Sequence, residues 1–175
     1  MTMHEIPKHY DDHIRPMRLD DIPLLAARLA LVEQREMDVL HGFRVSPLAA
    51  LRYSLQASEG RAFTLWDHGN PLVAGGVCGR GPLQTAWILR TEDALQESRF
   101  CRWLFTGGSR DFMAWWFRLS GALAFTNYVA EFNALSLRWL QRLGARFQPA
   151  PEVRPGILRF TLPNPEYIQK EEHLV

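Results

Sequence analysis

The side chains of this sequence best suited to chemistry fall in a few places. His4, His9, Asp11, Asp12 and His13 offer nitrogen and oxygen donors of the kind that bind a divalent metal. A polar terminal arm accounts for the same residues more simply, because chain ends are usually poorly ordered, and no metal site is expected. The run Gly76-Val77-Cys78-Gly79-Arg80-Gly81 has the glycine density of a phosphate cradle. It lies between two strand patterns, where no helix dipole would face a ligand, so turn glycines are expected. Gly108-Ser109-Arg110-Asp111 places a hydroxyl near a carboxylate but lacks the Gly-x-Ser-x-Gly spacing that lifts a nucleophile onto a strained turn. Cys78 and Cys101 have neither metal-ligand spacing nor the density of a disulfide scaffold, and both are expected to be reduced and structural.

The aromatic run is the most unusual stretch. In Phe112-Met113-Ala114-Trp115-Trp116-Phe117-Arg118-Leu119, helical geometry gathers Phe112, Trp115, Trp116 and Leu119 into one stripe, with Met113 and Phe117 widening it. Such a stripe is either a thick core or, with Trp103 before it and Arg102, Arg110 and Arg118 along its edge, a surface that docks another protein.

Elements must hold these residues. The 175 residues, 47% of them hydrophobic, are enough for one domain with a real core. A formal charge of +1, with both signs interspersed, gives no field to recruit nucleic acid or an anionic membrane. No stretch approaches the roughly 18 apolar residues of a membrane span. After an extended piece at 13–18, Asp20 opens a helix with Ile22, Leu25, Leu29 and Val32 inside and Arg28, Glu33 and Arg35 outside. Residues 37–45 read as a loop, and Ser46-Pro47 opens a second helix through Leu55. A hairpin turning at Asp67-His68-Gly69-Asn70 and a strand at 84–89 form a meander. Residues 91–120 are helical, broken near Ser98 and weakened at Gly107-Gly108, a close-packing point or kink, and a strand at 122–129 follows. Asn133 caps a helix carrying Leu137, Leu140 and Leu143, stopped at Gly144. Two last strands span 146–148 and 157–162. The expected boundaries are a polar extension at 1–12, the domain at 13–162 and a C-terminal arm at 163–175.

This order of elements, with the helix Asn133-Ala134-Leu135-Ser136-Leu137-Arg138-Trp139-Leu140-Gln141-Arg142-Leu143-Gly144, resembles the GNAT acyltransferase superfamily. A narrower likeness covers 74–162: Gly75-Gly76-Val77-Cys78-Gly79, Trp87, Asn127-Tyr128-Val129, Asn133 and the run from Arg138 to Phe147 resemble the internal virion protein A family of autographivirus phages. The resemblance implies an α/β fold: a mixed, mostly antiparallel sheet with helices on both faces, and a V-shaped opening between the fourth and fifth strands. Trp87, Asn133 and Leu140 mark that cleft.

Catalysis of the GNAT kind, as the resemblance implies it, needs a loop Gln/Arg-x-x-Gly-x-Gly/Ala whose bare amides hold the cofactor's phosphates. The chain instead reads Arg90-Thr91-Glu92-Asp93-Ala94-Leu95-Gln96-Glu97, with no glycine and three carboxylates that would repel a diphosphate. Trp87, Ile88 and Leu89 offer no general base, and Leu140 stands where a proton-donating tyrosine is common. The expectation is therefore a non-enzymatic phage structural protein with no catalytic residue and no cofactor. It would reside in the virion, and in host cytoplasm during assembly, and act on other virion proteins through Trp103, Phe112, Met113, Trp115, Trp116, Phe117 and Arg118, with self-association left open. The alternatives are an acetyl-CoA dependent N-acyltransferase with a divergent cofactor loop, and a small binder of host proteins.

Overall fold

A computed structural model describes Tyr10, residues 12–96 and residues 98–167. Its strands are β1 (Ile14–Pro16), β2 (Ala62–Asp67), β3 (Asn70–Cys78), β4 (Leu83–Arg90), β5 (Ala124–Ala130), β6 (Arg146–Pro149) and β7 (Ile157–Pro163). Its helices are α1 (Asp21–Ala27), α2 (Leu31–His41), α3 (Pro47–Ala57), α4 (Glu92–Gln96), α5 (Arg99–Thr106), α6 (Ser109–Ser120) and α7 (Ala134–Arg142). The strands make one sheet in the order β1-β2-β3-β4-β5-β7-β6. Its pairs are antiparallel except β4 with β5.

That parallel pair creates the important feature. β4 and β5 are in register only from Leu83↔Ala124 to Thr85↔Thr126. Asn127 then donates from Nδ2 to the Ala86 carbonyl at 2.8 Å, and beyond this point the strands part into a V. Strand alternation assigns the walls. Ala86 and Ile88 face the core under α5 and α6, whereas Trp87 and Leu89 face the cluster under α1 and α3.

Sequence and structure part company at α2. Residues 37–41, read as loop, continue a helix that begins at Leu31 and ends on left-handed Gly42. A new helix starts here because partners distant in sequence hold its first turn. Ala30 donates its backbone N–H to the Arg90 carbonyl at 2.9 Å, and Leu31 donates its own to Glu92 Oε1 at 2.8 Å. The cap is thus a carboxylate from another element, replacing the local Ser, Thr, Asp or Asn that marks a helix start. The same shift moves Glu33 from the expected outer face to full burial.

Gly107-Gly108 separates two helices, α5 and α6, where a close-packing point or kink within one helix was expected. A Cβ on Gly108 would lie 2.6 Å from the Trp103 ring, so close packing at this corner needs glycine. Ser98 is a true break, its Oγ accepting from Cys101 N at 3.0 Å to cap α5. Tyr10, placed in the polar extension by sequence, is buried, and its hydroxyl donates to the Gly108 carbonyl at 2.7 Å. The rest of the extension except Asp12, and residues 168–175 of the arm, lie outside the described residues. Asn164, the second residue of the expected arm, is buried and donates its backbone N–H to the Leu123 carbonyl.

Gly75 sits mid-strand in β3 beneath Phe63, where an added Cβ would stand 2.5 Å from the ring. Phe63 is fully buried among Phe112, Trp115 and Trp116 and has nowhere to retreat. Gly75→Ala is expected to cost about 1–3 kcal/mol by overpacking, read as a fall in the urea midpoint with an unchanged slope.

Candidate functional site

α2 lies against β5 and, through Glu33 and Arg90, reaches the end of β4. Its Glu33 and Glu36, three residues apart, share a helical face. Glu33 forms an ion pair with Arg90 Nε at 2.5 Å, with both side chains almost wholly buried. Arg90 also donates from Nη2 to Ser136 Oγ at 2.6 Å and more weakly to Asn133 Oδ1 at 3.5 Å. Glu36 serves the other arm: Oε1 accepts from Ala130 N at 2.6 Å and Oε2 from Asn133 Nδ2 at 3.0 Å. The mouth of the V is therefore tied across by one polar network.

Burial dominates the electrostatics. Desolvation raises the Glu33 carboxyl above its ordinary range, against the pull of Arg90. It lifts Glu36 to about 7, opposed by the Ala130 amide and reinforced by the like charge of Glu33. Glu36 can thus take or give a proton near neutrality.

Behind the network is a cavity of about 60 Å³ lined by Glu33, Glu36, Ala86, Trp87, Ile88, Met113, Trp116, Tyr128, Trp139 and Leu140 among others. Because these walls come from both faces of the sheet, the space runs through the fork. Trp116 lines it and is buried with an indole Nε1–H that has no hydrogen-bond partner among the described residues. Trp139 also lines a second cavity of about 190 Å³ between α5 and α7, which is bordered by Arg102, Arg138 and Arg142.

Of the cleft residues read from sequence, Trp87 and Leu140 are walls of the fork, and Asn133 joins Glu36 to Arg90 while capping α7 through Ser136 N. Trp87 donates from Nε1 to Ser58 Oγ at 3.0 Å, which fixes it against the end of α3. The carboxylates expected to repel phosphate are otherwise engaged. Glu92 caps α2 and Asp93 pairs with Arg28 at 3.4 Å, while Glu97 lies outside the described residues.

The aromatic docking surface is corrected. Phe112, Met113, Trp115, Trp116 and Phe117 are at most 3% exposed and form the core against Phe63 and Phe125. Only Trp103, which packs over Gly108, and Arg118, which pairs with Glu166 at 3.3 Å, reach solvent. Glu33 and Glu36 escaped sequence reading, although two carboxylates three apart within an apolar helical pattern were the available signal. Arg90 entered the sequence reading only as the first residue of the segment that stands in place of the phosphate loop. Among the described residues no group of three or more His, Cys, Asp or Glu could hold a metal, and no helix is long and apolar enough to cross a membrane. His4, His9 and Asp11 lie outside those residues.

No protein-family model and no curated protein matches the sequence. Solved structures do match. The ribosomal-protein-S18-alanine N-acetyltransferase of Escherichia coli is 18% identical, with a TM-score of 0.57 over 86% of this chain and 92% of its own. The GNAT domain of S. lividans PAT is 14% identical, with a TM-score of 0.58 over 91% and 99%. The yncA structure from Salmonella typhimurium, described as an acetyltransferase with its cofactor acetyl-CoA, is 17% identical, with a TM-score of 0.56 over 87% and 94%. These neighbours overturn the expectation of a phage structural protein: they are acetyltransferases, and nothing found supports a virion role or the narrower likeness to internal virion protein A. The chain is a single α/β domain with the GNAT acetyltransferase fold, its sheet mostly antiparallel and forked between β4 and β5.

Proposed function

We propose that this chain is an acyl-CoA dependent N-acyltransferase acting on a primary amine. The observation that carries this reading is the cavity through the β4/β5 fork with Glu36, its carboxyl lifted to about 7, on one side. A carboxylate poised near neutrality is what an ammonium substrate needs, since it must lose a proton before its nitrogen can attack.

The fit to a coenzyme A thioester divides by region. The turn α4 has no glycine and offers no cradle of bare amides where GNAT relatives hold a diphosphate. The fork does fit: its walls are largely apolar, and the unpartnered Trp116 N–H offers a donor to a carbonyl oxygen. Beyond Trp139 lie the three arginines. A bound thioester would supply the activated acyl group. Glu36 accepts the amine's proton on a carboxylate oxygen, while Asn133 and the Ala130 amide hold that carboxylate in place. Leu140 has no proton to donate, so this chain offers no acid at that position. About 60 Å³ is a few water volumes. A short acyl group suits the closed fork, and the Arg90 network must part for the rest of the donor arm.

Acetyl-CoA with a panel of peptide N-termini, lysine peptides and polyamines is the test. Amine-dependent thiol release above hydrolysis is expected for at least one acceptor. Acetyl-CoA should also raise the melting temperature, since ligand at 100 times its Kd adds about 2.7 kcal/mol. No thermal shift at millimolar acetyl-CoA would overturn the proposal.

A further inference from the structure

The groove between α5 and α7 has no part in the proton chemistry of the fork, yet its makeup is specific. Arg138 and Arg142 are four residues apart on α7, and Arg102 and Thr106 are four apart on α5, so each helix turns one face to the same space of about 190 Å³. The remaining lining is Ala94, Leu95, Cys101, Phe105, Leu135 and Trp139, with no acidic residue among the described residues. No carboxylate among the described residues pairs with Arg102, Arg138 or Arg142. In a chain with a net charge of only +1, three guanidiniums that no described carboxylate neutralises, gathered around one concavity, form a local anion trap. The larger groove of about 530 Å³ beyond Arg142 is a poorer anion site, because Asp111 lines it.

Two links join the trap to the fork. Trp139 lines both cavities, and Phe105 lies edge-on to Trp139 at 5.1 Å between ring centres and under Arg90 at 5.7 Å. A ligand with an apolar end in the fork and phosphates further out would follow this path.

We infer that Arg102, Arg138 and Arg142 seat the phosphates of the acyl donor, with side-chain guanidiniums replacing the backbone amides that α4 no longer presents. The inference rests on the transferase reading. Guanidinium suits the role because its planar fork of donors matches two phosphate oxygens at once.

Isothermal titration of the intact protein with coenzyme A, and with adenosine 3′,5′-bisphosphate as a probe lacking the pantetheine arm, tests this without an activity readout. All three arginines are exposed, so their removal should leave the melting temperature nearly unchanged. Arg138→Ala and Arg142→Ala should each weaken both ligands by about tenfold or more. Salt should weaken wild type more than the Arg138→Ala, Arg142→Ala double variant, and Arg44→Ala, on the loop after α2, should bind as wild type does. Wild type and the groove variants binding coenzyme A equally would overturn the phosphate seat and leave the transferase reading standing. Wild type failing to bind coenzyme A at all would overturn both.

Discussion

Glu36→Gln should lower the turnover of amine acylation by about 100-fold or more, the usual share of a positioned general base, while leaving coenzyme A affinity close to wild type. Glutamine keeps the shape and can still accept from Ala130 N through its one oxygen, while its amide nitrogen replaces the oxygen that accepts from Asn133 Nδ2. What it loses is the ability to take a proton. In wild type, kcat/KM should rise with pH through an inflection near 7 and flatten above it, and this inflection should vanish in the variant. Stability carries the opposite signature. Because the folded-state pKa is raised from 4.5 to about 7, the folded protein holds a proton the unfolded chain has released. The contribution to stability is full below about 4.5 and is lost as pH rises through about 7. Glu36→Gln cannot titrate but sets an amide donor against Asn133 Nδ2, so its melting temperature should lack the wild type's fall between pH 5 and pH 8. An enzyme that retains full turnover in Glu36→Gln would remove this residue from the chemistry.

The second large effect is on stability. Arg90→Met should cost about 3–5 kcal/mol, because it leaves Glu33 buried without its counter-charge and Ser136 without its donor. Since Glu33 can escape the penalty by taking a proton, the loss should be smaller at pH 5 than at pH 8. Replacing both partners, Glu33→Met with Arg90→Met, should recover most of the stability, as apolar groups can fill a buried ion pair's volume at little net cost. Urea unfolding of the two single variants and the double variant reads the coupling directly. Additive losses in the double variant would mean that the pair does not act as one tie across the fork.

These two residues also show where sequence was readable. The meander was legible because Asp67-His68-Gly69-Asn70 supplies its turn residues and the flanking strands are apolar. α7 was legible from both ends, with Asn133 as its cap and Gly144 past its last turn. α2 was not, because Glu92, 61 positions away, caps its first turn. Glu33 looked exposed for the same reason: a charged side chain is placed outside by default unless its partner is known, and Arg90 is 57 residues distant. The acidic run after β4 was read as a field acting on phosphate, yet in the fold Glu92 and Asp93 turn back to α2 and Arg28. The aromatic run was ambiguous from periodicity alone. Its burial was decided by Phe63 and Phe125, which fill the space beneath α6 from two strands of the sheet.

A crystal structure grown with saturating acetyl-CoA tests the central claim most directly. The expected result is a thioester lying between β4 and β5 within reach of Glu36, with Arg90 withdrawn from its bridge and phosphate oxygens against Arg138 and Arg142. A fork still closed by Arg90 and Glu33 under those conditions, with the nucleotide absent or bound elsewhere, would contradict it.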